Sequence, residues 1–225
     1  MAKLIVAEGL DFAGKSSFVE KFVEKLNKSG YPAIHTYEPG GTNFGNEISK
    51  ITKYPRRLFD QDLSELTKIT LFNASRIENL EKIILPALAE DKIVVVDRFW
   101  WTTLVYADPS IEKEVMQLHK ILQGDIRADF TFLCDIDYST FIERRGFRGN
   151  CDEIEDSLFQ RFDLMRSRYL DLADKDSNSM VLSQSLSVDE KVMVAYTRLR
   201  RRLSDDRRRT AARKADNVRG EFACP

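Results

Sequence analysis

The sequence predicts an α/β protein in which a five-stranded parallel sheet is flanked by helices, and three observations point there. Five short apolar runs alternate with helical patterns along the 225 residues, as crossover helices between parallel strands require. The strongest runs are apolar at nearly every position, the mark of strands covered on both faces. Their carboxyl ends carry Glu8-Gly9, Glu38-Pro39, Asp97-Arg98 and Asp135, and ligand sites in such sheets open at those ends.

The first run, "KLIVAE" (Lys3–Glu8), stops at glycine and reads as a buried strand. In "KSSFVEKFVEKLNKSG", Phe18, Phe22, Val23 and Leu26 share one helical face, and Gly30 ends the helix. "PAIHTYE" (Pro32–Glu38) is a second strand, closed by the turn signal "EPGGT". Asp62 to Glu90 reads as a long helical region broken near Pro86. "KIVVVDR" (Lys92–Arg98) has four β-branched residues in a row, "DFTFLCDID" (Asp129–Asp137) is a fourth strand, and "SMVLSQS" (Ser179–Ser185) is a weaker fifth. Neither an internal repeat nor an interior linker interrupts this order, so one domain is expected over residues 1–203.

Charge sets the remainder apart. Residues 198–225 hold ten basic side chains against four acidic ones, whereas the rest holds 25 basic against 32 acidic. Residues 204–225 therefore read as a basic, disordered tail on an acidic domain, and a nucleic-acid role is not expected. Cys134, Cys151 and Cys224 are scattered and odd in number, and His35 and His119 are isolated, so neither a disulfide framework nor a zinc site is implied. With no signal-peptide pattern before the first strand and no run long enough to span a bilayer, the expectation is a cytoplasmic protein away from membranes.

The chemistry begins at "EGLDFAGKSS" (Glu8–Ser17), where Gly9, Gly14, Lys15 and Ser16 fit G-x-x-x-x-G-K-[ST] between a strand and a helix. In such a loop, backbone N–H groups converge on phosphate oxygens at a helix N-terminus that already favours anions. Gly9, Asp11, Phe12, Ala13, Gly14, Lys15, Ser16 and Ser17 are the expected cradle of a nucleoside triphosphate. Lys15 would bridge the β- and γ-phosphates, and the Ser16 hydroxyl would ligate Mg²⁺. The carboxylate Asp11 and the bulky Phe12 are unusual occupants of a loop that holds anions.

Three further stretches, "EPGGT" (Glu38–Thr42), "LFNASR" (Leu71–Arg76) and "DRFWWTTLVY" (Asp97–Tyr106), make the chain resemble thymidylate kinases over roughly Lys3 to Leu203. The resemblance implies the three-layer P-loop NTPase fold with a mobile lid, ATP as donor, dTMP as acceptor, Mg²⁺ as cofactor and a homodimer. It places Phe72 on the thymine ring and Arg76 on the base edge, with Pro39 lining the pocket floor. Periodicity alone favours a core place for Phe72 and a solvated face for Arg76. Arg98 would grip the acceptor phosphate, and Asp97 would stand near the metal. Thr102 and Thr103 match a Ser/Thr pair beside the base. Tyr106 would fill the space of a ribose 2′-hydroxyl, and Asp11 would reach the sugar. Tyr37 stands where the family has an arginine. Phe44 reads equally as a pocket wall or a helix-core residue, and core packing is expected of Trp100 and Trp101.

"FIERRGFRGNCDEIED" (Phe141–Asp156) matches the lid, with Arg144 near the adenine and Arg148 on the phosphates during transfer. Phe12 stands where some members carry a catalytic arginine, so the lid arginines would supply that charge. The acceptor is already an oxyanion, so positioning and charge neutralisation suffice. A deoxynucleoside kinase or a kinase of broader pyrimidine scope shares much of this pattern. A nucleotide-dependent switch fits less well, because the one "NK", Asn27-Lys28, lacks the aspartate of N-K-x-D.

Overall fold

Apolar strands buried on both faces come first in the architecture. The computed structural model describes residues 2–148 and 153–221, with side chains for 2–147 and 158–204. Strands β1 (Lys3–Glu8), β2 (Ala33–Tyr37), β3 (Ile93–Asp97), β4 (Phe130–Cys134) and β5 (Ser179–Leu182) form one sheet in the order β2-β3-β1-β4-β5. Every pairing is parallel. The helices are α1 (Lys15–Lys28), α2 (Asn43–Lys53), α3 (Pro55–Phe59), α4 (Glu65–Asn79), α5 (Leu85–Ala89), α6 (Trp100–Tyr106), α7 (Glu112–Gln123), α8 (Tyr138–Arg148), α9 (Glu153–Lys175) and α10 (Val188–Glu221).

Side chains alternate between the two faces of a strand. Ile5, Ala7, Val95 and Phe132 join α1, α9 and α10 in one core, through Phe18, Phe22, Tyr169 and Leu199 among others. Leu4, Val6, Val94 and Val96 join Leu80, Ile84 and Ala87 on the opposite face. Both β3 and β4 are buried at every position, so three layers result. β1 sits between β3 and β4, and its register pairs Ala7 with Asp97 and Glu8 with Leu133. The charged strand ends are thereby set side by side on one edge.

Two expectations change in detail. The break in the helical region after Asp62 lies ahead of Pro86: α4 gives way to a π-helical turn over Leu80–Ile84 before α5 begins. Proline has no N–H and crowds the carbonyl four residues earlier, here that of Lys82, inside the widened turn. At the other end, the residues set apart as a tail from 204 onward begin within α10, whose backbone is helical to Glu221.

Phe132 is fully buried, with ring centroids 5.7 Å from Phe18, 5.8 Å from Phe22 and 4.9 Å from Phe130. Phe132→Ala is expected to destabilise the fold by about 3–5 kcal/mol, measured by urea unfolding, because the cavity it leaves is walled by rigid rings.

Candidate active site

The glycine loop is shaped by steric necessity. Gly9 has φ +139°, and a Cβ there would overlap the Cys134 carbonyl oxygen at the end of β4. Gly14 is left-handed (φ 81°) and caps α1 without any side-chain hydrogen bond, so the first N–H groups of α1 face the loop. Lys15 folds back over it, and its Nζ donates to the Leu10 carbonyl at 2.6 Å. Burial, and then the charge of Arg98, lower its pKa. Phe12 also adopts a positive φ, 65°. Its ring packs edge-on against Phe141 at 5.6 Å, and its carbonyl accepts from Arg144 Nη1 at 2.8 Å. Phe12 thus docks the phosphate loop onto α8.

At the end of β3, the Ser16 hydroxyl donates to Asp97 Oδ2 at 2.6 Å. Asp97 Oδ1 is buried with no hydrogen-bond partner among the described residues. These are hard oxygen donors of the kind Mg²⁺ takes when phosphates and water complete its shell. Among the described residues no cluster of three or more His, Cys, Asp or Glu could hold a metal ion.

Arg98 follows directly and is left-handed, φ 71°. Its Nη2 is ion-paired with Asp11, and its Nη1 donates to the Gly9 carbonyl at 3.0 Å and to Thr102 Oγ1 at 3.2 Å. The guanidinium lies 5.5 Å from the Tyr106 ring centroid, and the Tyr106 hydroxyl donates to Asp11 Oδ2 at 2.7 Å. Burial would raise the Asp11 carboxyl, but Arg98, then Lys15 and Tyr106, bring it down to about 2. The anion in an anion-binding loop is therefore the anchor of an arginine through Oδ1, while its Oδ2 holds the Tyr106 hydroxyl.

Arg76 lies 2% exposed on α4. Its Nε donates to Glu38 Oε2 at 2.5 Å, and its Nη2 to the Phe99 carbonyl at 3.0 Å and Thr103 Oγ1 at 2.7 Å. Its Nη1 is buried without a hydrogen-bond partner among the described residues. Burial pushes Glu38 up to about 7 against the pull of Arg76. A cavity of about 570 Å³ runs between these groups. It is lined by Gly14, Lys15, Ser16 and Ser17 of the glycine loop and α1, by Phe72 and Arg76 of α4, by Thr103 and Tyr106 of α6, and by Asp11, Asp97 and Arg98.

Residues 7–207 match the family model described as thymidylate kinase. The chain belongs to the thymidylate kinase family. It is 33% identical over 193 residues to a thymidylate kinase of Vibrio campbellii, covering 84% of this chain and 91% of that one. A thymidylate kinase of Exiguobacterium sibiricum is 36% identical over 170 residues, 74% of this chain and 77% of its own. The solved thymidylate kinase of Ehrlichia chaffeensis superposes with a TM-score of 0.64 at 26% identity, covering 80% of this chain and 92% of that one.

Within this thymidylate kinase framework, most residues expected at the site line the one cavity, Pro39, Thr102 and Arg144 included. Gly9 and Ala13 stand behind it, the first against β4 and the second buried in the core. The side chain of Arg148 lies outside the described residues. The Thr102 hydroxyl, expected beside the base, donates to Glu8 Oε2 at 2.6 Å. Phe44 is 51% exposed and does not line the cavity, so it is neither wall nor core. Trp101 is buried and Trp100 stacks on His119 at 4.8 Å, as core packing predicts. Four contributors escaped the sequence reading: Ser49 and Lys53 line the cavity, Glu38 holds Arg76, and Glu8 supports the turn after β3. The first two share a face of α2 at i, i+4 spacing, a signal the sequence did carry.

Glu38 titrates above the 4.5 of an ordinary glutamate, at about 7. The folded state therefore keeps a proton the unfolded chain has lost, and this group's contribution to stability falls as pH rises through that window. Glu38→Gln has no such dependence. The stability of the natural protein relative to Glu38→Gln is expected to decline from about pH 4.5 to 7, read by urea unfolding at several pH values. A difference that holds constant or grows would mean that Glu38 stays ionised throughout.

Proposed function

We propose that this chain transfers the γ-phosphoryl group of ATP to dTMP, giving ADP and dTDP for dTTP synthesis. The observation that carries the reading is the continuous cavity, which joins a phosphate loop to a pocket with an aromatic wall and a buried arginine. The bond from the γ-phosphorus to the bridging oxygen of ATP breaks, and one forms to a phosphate oxygen of dTMP. That oxygen is already anionic, so no base is needed. Lys15 neutralises charge on the donor phosphates, and Arg98 holds the acceptor phosphate in line. Arg148 and Arg144, from the lid segment, add charge at the donor. Mg²⁺, on the side of Ser16 and Asp97, would neutralise the donor phosphates when bound.

The base end supports the choice of acceptor. Arginine offers only donors, and the buried Nη1 of Arg76 keeps its two N–H donors without a hydrogen-bond partner among the described residues. A carbonyl oxygen on the base edge satisfies it, whereas the amino group of cytosine would set donor against donor. Phe72 provides a face for stacking. Tyr106, fixed on Asp11, occupies the sugar side and favours a deoxyribose. Among the described residues no helix is long and apolar enough to cross a membrane. A homodimer in the cytoplasm, with ATP and dTMP as its small-molecule partners, completes the reading.

A screen of monophosphates with ATP and Mg²⁺ is the direct test. dTMP is expected to turn over fastest, dUMP more slowly, and dCMP at least about a hundredfold less efficiently. Phosphorylation of thymidine but not dTMP would overturn the reading. Lys53, beside Asp11 in charge terms, is the proposed second cation for the acceptor phosphate. Lys53→Met is expected to raise the dTMP KM roughly tenfold while leaving kcat within about twofold, because a charge-assisted contact to bound substrate is lost.

A further inference from the structure

Arg98 holds its position through groups that touch no substrate. Helix α6 has seven residues, and its own N-cap, Phe99, makes no side-chain capping bond. The cap comes from a neighbouring strand instead. Glu8, 1% exposed at the end of β1, accepts from the Phe99 N–H at 2.9 Å and the Thr102 N–H at 3.3 Å through Oε1. Its Oε2 accepts from the Thr102 hydroxyl at 2.6 Å. The same hydroxyl oxygen accepts from Arg98 Nη1 and lies 2.8 Å from the hydroxyl of Tyr169.

Thr102 gives Glu8 its single proton. The Thr102 oxygen then takes Arg98 on one lone pair and the Tyr169 O–H on the other. Tyr169 belongs to α9, the helix that follows the lid segment. α9 holds the far end of α6 as well: Arg168 Nη1 donates to the carbonyls of Val105 at 3.1 Å and Ala107 at 2.8 Å. A seven-residue helix cannot hold itself in water, and a non-glycine residue at φ 71° persists only where its surroundings fix it.

We propose that Glu8 and Tyr169 are positioning residues for phosphoryl transfer, fixing Arg98 on the acceptor phosphate through the Thr102 hydroxyl. The proposal rests on the acceptor role given to Arg98 above. Neither side chain serves substrate in that reading, and neither carries a charge that faces the nucleotide directly. Their effect passes through one arginine, which gives the proposal its test.

Tyr169→Phe and Glu8→Gln are made in the natural chain and again with Arg98→Lys. Steady-state kinetics are run on each, with dTMP and ATP varied separately, and the melting temperature is recorded. Tyr169→Phe removes one oxygen and is expected to raise the dTMP KM about threefold to tenfold, with the ATP KM within about twofold. Glu8→Gln is expected to lower kcat/KM for dTMP by about tenfold to a hundredfold. With Lys at 98, both effects should shrink to less than about twofold, because a lysine cannot use the Thr102 oxygen as a planar fork does. Equal losses in both backgrounds, or a natural dTMP KM in Tyr169→Phe, overturn the positioning role. An unchanged dTMP KM in Arg98→Lys alone overturns the acceptor reading instead. If Glu8→Gln does not fold, the Tyr169→Phe pair decides by itself.

Discussion

Arg98 stands in a left-handed turn at the end of a buried strand, and the site is assembled around that constraint. Such a conformation costs on the order of 1–3 kcal/mol in a side chain with a Cβ. It is held from both directions. The Arg98 N–H donates to the Ala7 carbonyl at 2.9 Å, so β1 fixes the backbone. Asp11, the Gly9 carbonyl and Thr102 fix the guanidinium. Those partners come from the phosphate loop and from α6, so the arginine ties the two together. Moving Arg98 would require both to move.

The charges follow the same logic. Beside Asp97, which accepts from Ser16, three carboxylates lie at or below the cavity surface, and each is assigned to a structural partner: Asp11 to Arg98, Glu38 to Arg76, and Glu8 to the first turn of α6. Buried ion pairs add little net stability and are strongly destabilising when one partner is removed. Their value here is geometric. An arginine that spends part of its fork on a fixed carboxylate keeps the remaining N–H groups aimed in a known direction. Arg76 illustrates this, with Nε and Nη2 engaged and Nη1 buried without a hydrogen-bond partner among the described residues. Reorganisation at the moment of reaction is correspondingly small.

Much of this was legible in the sequence. Strands buried on both faces announce themselves by continuous apolar runs, so "KIVVVDR" and "DFTFLCDID" located β3 and β4 to within a few residues. The phosphate loop was legible because its spacing is dictated by backbone geometry. What escaped was tertiary. Glu8 ends an apolar strand and looks like a boundary marker, since its partners lie 91 and 94 positions away. Glu38 belongs to a turn motif, and nothing local says that it will pair with Arg76 across 38 positions. The role of Asp11 was readable as an acid near the acceptor but not as the anchor of Arg98, because that contact spans 87 positions. Phe12 was opaque for the same reason, its partner ring being Phe141.

The contact of Phe12 with Phe141 also bears on how the two halves of the site communicate. α8 meets the donor side: Arg144 holds the Phe12 carbonyl, and Phe141 holds its ring. α9, next in the chain, meets the acceptor side through Tyr169 at the start of α6 and Arg168 at its end. The lid segment identified in the sequence joins these two helices. One stretch of chain therefore touches the phosphate loop from within the segment matched to the lid, through Phe141 and Arg144, and α6 beyond it, through Arg168 and Tyr169. An arginine in place of Phe12 would put charge into the loop directly but would give up the aromatic contact that couples the loop to α8. The loop in this chain keeps that contact instead.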